Sequence, residues 1–362
     1  MPQNAYLVLE NGKVFQGKYF GAVRDVIGEI VFTTSVVGYL ETLTDKSYYG
    51  QIVVQTFPLI GNYGVIPSDF ESDKSEIKAY VIKQLCDYPS NFRSEGKLED
   101  YFVKNNMTGM YGIDTRALTK VIRENGVMNG IITSNPGKVD FKKVKEYRVE
   151  HSVESVSSKS AYEIKSQESR YRLAVLDFGI KENIKRELLE RNCALFVFPY
   201  DSDINKIKEV NPHGIILTNG PGDPADNINV IKNIKEMIKH KIPIFGICMG
   251  NQLLALANGF KTEKLKYGHR GSNQPVKNLN NGKTYISSQN HGYAVVKKSI
   301  DKKIAKEYFI NVNDGTNEGI EYLNIPAFSV QFHPEACGGP HDTNVLFDKF
   351  LKMMEAYKNA VE

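Results

Sequence analysis

From Leu173 to Asn258 the sequence alternates short, unbroken apolar runs with stretches of helical spacing, and this rhythm constrains the fold more than any other feature. The apolar runs are Leu173-Ala-Val-Leu176, Leu195 to Phe198, Gly214-Ile-Ile-Leu217 and Pro243-Ile-Phe-Gly246. Between them, Asn183 to Arg191, Ile204 to Glu209 and Asn227 to His240 carry apolar residues at helical spacing. Strands that are apolar on both faces need cover on both faces. The pattern therefore predicts an α/β domain, a doubly wound, mostly parallel sheet. Ligands of such sheets bind beyond the carboxyl ends of the strands, so the loops after these runs are where chemistry is expected.

The first half reads differently. Tyr6-Leu-Val-Leu9 and Lys13-Val-Phe15 flank Asn11-Gly12, which predicts a hairpin with a tight primed turn. Further β-rich runs cover Ile30 to Ser35 and Gln51 to Thr56, and one helix is expected from Asp114 to Asn125. Asp114 is placed to cap that helix and Gly126 to end it. The expectation is a β-rich α+β domain over residues 1–150. Around Val149 to Arg172 the pattern dissolves into Ser152, Ser155, Ser157, Ser158, Ser160, Ser166 and Ser169 among charges. Residues 151–171 are therefore expected to form a linker, and residues 172–362 the doubly wound domain.

Bulk properties exclude several classes. With 362 residues the chain can bury two cores, and 41% hydrophobic with 24% charged residues is an ordinary soluble composition. The 46 basic and 42 acidic side chains leave a net charge of +4, spread along the chain, which gives no footprint for nucleic acid. The longest apolar runs, such as Ala194 to Phe198, fall far short of a membrane span. Met1-Pro2-Gln3-Asn4 lacks the features of a signal peptide, so a cytoplasmic location is expected. Cys86, Cys193, Cys248 and Cys337 form no C-x-x-C pair, so no zinc ribbon or redox motif is expected. Each reads as a small buried hydrophobe unless its neighbours say otherwise.

The neighbours of Cys248 do. In Gly246-Ile-Cys-Met-Gly-Asn-Gln252 the cysteine ends an apolar run and precedes a helix expected over Gln252 to Asn258. Glycines two residues away on each side make room for a strained strand-to-helix elbow with an exposed nucleophile. A helix N-terminus behind a thiol stabilises negative charge on it. The matching base is His333, in Val330-Gln-Phe-His-Pro-Glu335. Residues two apart in an extended segment face the same way, so Glu335 can hold the imidazole of His333 in one tautomer. His291 competes as a base but lacks a positioned carboxylate. Two loops complete the set: Thr218-Asn-Gly-Pro-Gly-Asp-Pro224, whose glycine N–H groups can stabilise an oxyanion, and Gln289-Asn-His-Gly-Tyr293.

The elbow, the Asn219-Gly-Pro-Gly-Asp-Pro224 loop and the His333-Pro-Glu335 segment resemble a triad-type, class I glutamine amidotransferase domain from about Leu173 onward. The first half resembles the N-terminal domain of the carbamoyl-phosphate synthase small-subunit family. It does so through Phe32-Thr-Thr-Ser-Val-Val-Gly-Tyr39, Thr42-Leu-Thr-Asp45, Ser47-Tyr48, Phe57-Pro-Leu-Ile-Gly-Asn62, Ser90-Asn-Phe-Arg93 and Gly112-Ile-Asp-Thr-Arg116. Gly268-His269 and Gly338-Gly-Pro-His-Asp342 extend the likeness over essentially the whole chain.

The resemblance implies that Cys248 attacks the carboxamide of L-glutamine while His333 and Glu335 manage protons. It implies an oxyanion held by the N–H groups of Met249 and Gly222, and a glutamine site of Ser47, Gly220, Gln252, Asn290, Gly292 and Tyr293, roofed from both halves. It implies no cofactor or metal in this chain. ATP and Mg are expected on a large synthetase subunit that receives ammonia, since the sequence has no Walker-type loop. The first domain is the expected docking surface. Two other readings stand beside this one: a glutaminase serving another ammonia-using synthetase, and a non-catalytic subunit that only senses glutamine. Asn251 departs from the family, whose members usually carry histidine there. Its short polar side chain is expected to bond free backbone N–H groups in the first helical turn.

Overall fold

A computed structural model of the chain describes residues 3–165, 168–336 and 338–361. Two compact units divide it, Met1–Glu150 and His151–Glu362. In the first, strands β1 (Asn4–Leu9), β2 (Val14–Gly21), β3 (Val26–Thr33) and β4 (Gln51–Gln55) are followed by the short β5 (Leu59–Ile60), β6 (Ala79–Val81), β7 (Gln84–Leu85), β8 (Thr108–Tyr111) and β9 (Met128–Thr133). Helices α1 (Tyr39–Thr44), α2 (Leu98–Lys104), α3 (Thr115–Asn125) and α4 (Phe141–Glu146) lie between and after them. Seven strands close into a barrel in the order β1-β2-β8-β6-β4-β3-β9, while β5 and β7 pair apart from it.

Alternation along each strand decides what fills the barrel. Leu7, Tyr19, Ile30, Ile52, Ala79, Met110 and Ile132 bring one residue from every strand into a single cluster, joined by Leu118 and Ile122 of α3. The opposite faces, Phe20, Val31, Val53 and Tyr80, pack with Tyr39 and Leu40 of α1 and with Leu98 and Phe102 of α2. Helix α3 is capped as the sequence predicts: the Ala117 N–H donates to Asp114 Oδ1 at 2.9 Å and Gly126 follows the last turn. The first hairpin differs from expectation. Its loop is Glu10-Asn11-Gly12, with the Gly12 N–H donating to Leu9 O at 2.9 Å and only Gly12 (φ 86°) left-handed. A type I turn followed by a left-handed glycine replaces the primed turn, because the chain has three loop residues to accommodate.

The second unit opens with α5 (Ser152–Val156) and β10 (Tyr162–Ile164), then alternates β11 (Tyr171–Asp177), α6 (Glu182–Glu190), β12 (Cys193–Pro199), α7 (Ile204–Glu209), β13 (Gly214–Leu217), α8 (Ile228–Ile238), β14 (Ile244–Ile247) and α9 (Met249–Ala257). It continues through β15 (Thr262–Asn278), β16 (Thr284–Val295), β17 (Ala305–Asn311), β18 (Asn317–Tyr322) and β19 (Ala327–Val330) to α10 (Val345–Val361). One sheet runs β10-β12-β11-β13-β14-β19-β18-β17-β15-β16. Strands β12, β11, β13, β14 and β19 are mutually parallel. Beyond β19 the sheet becomes an antiparallel wing.

Both faces of the parallel part are covered, as a doubly wound sheet requires. Ala174, Leu176, Ile215 and Leu217 point toward α7, α8 and α9, while Leu173, Val175, Ile216 and Phe245 point toward α6 and α10. The expected linker over residues 151–171 is a correction. Val153 and Val156 are buried, β10 pairs antiparallel with β12, and the Ser158 N–H donates to Asp177 Oδ2 at 2.8 Å. Its apolar residues are too sparse to show a period, and two of its serines bond distant backbone, Ser152 Oγ donating to Pro221 O and Ser157 Oγ accepting from the Tyr200 N–H. Ser166, Cys337 and the terminal Met1-Pro2 lie outside the described residues. Cys193 is buried as expected, and burial pushes its thiol up to about 12. Cys86 is only partly buried, against expectation. No helix among the described residues is long and apolar enough to cross a membrane.

Asp114→Ala removes the acceptor for the Ala117 N–H. The expected cost is about 1 kcal/mol, read as a lower urea midpoint of the first unit's transition at unchanged slope. Asp114→Asn, which keeps an acceptor, should leave the midpoint nearly in place.

Candidate active site

Strand β14 passes into α9 without a loop, so the helix begins at Met249 rather than at Gln252 as spacing alone suggests. The joint is Cys248, with φ 53° and ψ −101°. An L-residue in such a region costs of order 1–3 kcal/mol and persists only where its surroundings over-determine it. Here the Cys248 N–H donates to Val330 O at 2.8 Å and the Gly250 N–H to Thr218 O at 2.9 Å, which ties the joint to β19 and to the loop after β13. The two flanking glycines are steric necessities. A Cβ on Gly246 would stand 2.8 Å from Gly250 O, and one on Gly250 would stand 2.1 Å from Leu217 O.

His333 follows β19, and its N–H donates to Ser288 O at 2.9 Å. Its Nδ1 donates to Glu335 Oε1 at 2.6 Å, with both side chains fully enclosed. The contact expected from an extended segment is made instead by a turn at Pro334 and Glu335. Lys181 Nζ lies 3.7 Å from the same carboxylate oxygen. Burial and the Lys181 charge both disfavour a protonated His333, yet Glu335 and the Cys248 sulfur outweigh them and push it up to about 10. Burial alone would raise Glu335, but His333 and Lys181 hold its carboxyl below the usual range. His333 Nε2 has no hydrogen-bond partner among the described residues. That nitrogen is left for reacting groups.

The walls come from α9 and the antiparallel wing. The Cys248 thiol points at Asn290 O, 3.7 Å away, and Gln331 Nε2 donates to the sulfur at 3.7 Å. Gln252 Nε2 donates to Tyr293 O at 2.7 Å and to Gln331 Oε1 at 3.0 Å. Direct contacts therefore gather Cys248, Gln252, Asn290 and Tyr293 beside the His333–Glu335 pair. Gly292 lies between the wing residues, where an added Cβ would meet Arg270 Nη2 at 3.2 Å. In the loop after β13, a Cβ on Gly220 would stand 2.4 Å from Phe178 O. Gly222 has φ 85°, and a Cβ on it would stand 2.0 Å from Ser152 Oγ. Ser152 Oγ in turn donates to Pro221 O at 3.0 Å. Met249 opens α9, where the first N–H groups have no intrahelical acceptor. Ser47 belongs to the first unit, where it is buried and its N–H donates to Asp45 Oδ1 at 2.9 Å.

Several residues escaped the sequence reading. Gln331 stands just past β19 and two before His333, a spacing that alternation would place on one side. Lys181 and Asn183 had none: they follow β11, far from Glu335 in sequence, yet Asn183 Nδ2 donates to the Glu335 carbonyl. His291 does not meet the sulfur; its Nδ1 donates to Tyr293 O at 2.8 Å. Burial drives it well toward the neutral form. Asn251 is a correction. It is fully buried and bonds side chains rather than backbone, donating to Gln331 Oε1 at 3.1 Å and accepting from Ser329 Oγ at 2.7 Å.

Residues 174–353 match the family described as glutamine amidotransferase class-I, and residues 7–132 match that described as carbamoyl-phosphate synthase small chain, CPSase domain. The chain is 48% identical over 350 residues to a carbamoyl phosphate synthase small chain of Clostridium perfringens, covering 96% of this chain and 99% of that one. A small chain of Caldanaerobacter subterraneus is 48% identical over 354 residues, at 98% and 97% coverage. The Bacillus subtilis protein named carbamoyl phosphate synthase pyrimidine-specific small chain is 47% identical over 352 residues, at 96% and 95%.

Asn251→Ala strands the Ser329 hydroxyl and removes one of the donors to Gln331. The expected loss is about 1–3 kcal/mol of stability, visible in thermal melts. Asn251→His keeps a donor and an acceptor and should turn over within about tenfold of the parent. An alanine variant with an unchanged melt would show that these bonds carry no net stability.

Proposed function

We propose a mechanism from a plain premise: the chain belongs to the carbamoyl phosphate synthase small-chain family, and its class I amidotransferase domain makes it a glutamine-hydrolysing enzyme. Cys248, as the thiolate left once its proton has passed to His333, attacks the side-chain carboxamide carbon of L-glutamine, and the negative charge that develops on oxygen is held by the N–H groups of Met249 and Gly222. Protonated His333 gives its proton to the departing nitrogen. The C–N bond breaks, ammonia leaves and a γ-glutamyl thioester remains on Cys248. Neutral His333 then takes a proton from water, whose oxygen attacks the thioester carbonyl, and glutamate is released as the sulfur is restored. Glu335 holds the imidazole in the tautomer that presents Nε2 throughout.

The observation that carries this reading is the 2.6 Å His333–Glu335 contact together with an unpartnered His333 Nε2 beside a cysteine on a strained elbow. Gly220, Gln252, Asn290, Gly292 and Tyr293 position the substrate, with Ser47 assigned to the same task by family likeness. The chain carries no Walker-type phosphate loop, so ammonia is passed to a large synthetase subunit. With ATP, Mg and bicarbonate, that subunit makes carbamoyl phosphate in the cytosol. Residues 1–150 are the proposed docking surface.

Cys248→Ser should lower glutamine-dependent synthesis by roughly a thousandfold or more while sparing synthesis driven by added ammonia, which enters after the thioester. Retained glutamine hydrolysis in that variant would remove Cys248 as nucleophile. The isolated chain should hydrolyse glutamine slowly, and the large subunit with its substrates should accelerate it, because the two sites are coupled. Equal rates with and without the partner would refute that coupling.

A further inference from the structure

The antiparallel wing holds a second polar cluster that the glutaminase mechanism does not use. His269 of β15 stands opposite His291 of β16 in the strand register, and Glu318 of β18 lies beside them. One ligand atom from each falls within 4.8 Å of the other two, and all three side chains are buried.

The hydrogen bonding of this cluster does not close on itself. Tyr293 O can only accept, so the contact at 2.8 Å places the proton of His291 on Nδ1 and leaves a lone pair on Nε2. That lone pair faces two further acceptors, Gln289 Oε1 at 3.2 Å and Glu318 Oε1 at 3.9 Å. Turning the Gln289 amide would supply His291 with a donor. It would also take the amide donor away from Ser287 Oγ, whose own proton goes to Gln274 O. Glu318 Oε2 is buried and has no partner among the described residues. His269 Nε2 lies 2.8 Å from Asp314 Oδ2, which turns Nδ1 toward Glu318 Oε1 at 3.1 Å. Three ligand atoms thus lie together, His291 Nε2, the Glu318 carboxylate (which also accepts from Asn311 Nδ2 at 3.3 Å) and, once its proton is lost, His269 Nδ1, with Gln289 Oε1 3.2 Å from His291 Nε2.

The spacing and the outer contacts both suit a small cation. Ligand atoms on a tetrahedral ion with bonds of about 2.0–2.1 Å stand about 3.3 Å apart; three of the pairs here stand 3.1, 3.2 and 3.9 Å apart, and the atoms of His269, His291 and Glu318 all lie within 4.8 Å of one another. Each histidine also has its outer nitrogen fixed, His269 by a carboxylate and His291 by a backbone carbonyl, which is how metal-bound histidines are oriented. We propose that His269, His291 and Glu318, completed by Gln289, bind one divalent transition-metal ion, with zinc favoured by two imidazoles and a carboxylate. The ion takes the place of a proton on His269 Nδ1, which is released. It would brace the β15–β16 hairpin, and so the strand that presents Asn290 O to Cys248 and Tyr293 O to Gln252. Its role is structural: it reaches no reacting atom, and the reading stands whether or not the glutaminase mechanism does.

The test is a cobalt titration of the full chain after dialysis against a chelator. One cobalt per chain is expected, with the intense visible absorption of four-coordinate cobalt, abolished by one equivalent of zinc. Glu318→Gln and His269→Gln should each weaken binding by about tenfold or more, while exposed His240→Ala should bind as the parent does. A parent chain that shows no stoichiometric binding, or only the weak spectrum of six-coordinate cobalt, overturns the site. So does undiminished binding in both variants. Because the spectrum is read on the parent chain, a variant that fails to fold leaves the outcome decided.

Discussion

The backbone of Cys248 is the constraint on which the second unit turns. A left-handed cysteine at a strand-to-helix joint is unfavourable alone, and the joint is held by two hydrogen bonds, from the Cys248 N–H to Val330 O and from the Gly250 N–H to Thr218 O. The packing that surrounds it explains why α9 lies so close to β13 and β14: with glycine at positions 246 and 250, the helix descends onto strand backbone where any side chain would collide. The strain is thus supported by the sheet's own core, and the position of Cys248 is set by Val330, Thr218 and the two flanking glycines.

Charge arrangement does the complementary task. Glu335 is enclosed and would be costly as an isolated anion, but a protonated His333 and the nearby Lys181 ammonium compensate it. The signs of the two shifts define a window. His333, raised, contributes stability that is complete below the ordinary imidazole range and is lost as pH climbs through about 10. Glu335, lowered, contributes stability that is present above the ordinary carboxylate range and fades as acid protonates it. Between these limits the imidazole stays charged beside the sulfur, as the proposed mechanism requires of its acid.

How much of this was legible depends on whether the signal was local. The parallel strands, the elbow and Asp114 as a cap could be read because periodicity, glycine spacing and cap chemistry act over a few residues. Glu335 was legible too, although the turn that delivers it was not, since i and i+2 side chains meet by more than one backbone route. Lys181 and Asn183 were invisible: only the parallel sheet brings the end of β11 beside the turn after β19. Asn251 was misread because its partners, Ser329 of β19 and Gln331 just past it, lie far away in sequence, and a helix start suggests capping when only sequence neighbours are in view. The barrel's closure, the antiparallel wing and the pairing of Tyr162–Ile164 with β12 likewise rest on contacts between distant segments.

Strand β19 has one consequence that its place in the sheet order already contains. It is the last of the parallel strands and the first neighbour of the antiparallel wing. The Cys248 sulfur is delivered from one bank of this strand, by β14, whereas Asn290 and Tyr293 are delivered from the other, and His333 follows its downstream end. The groups gathered at the candidate site therefore belong to two differently built fields that share a single rail.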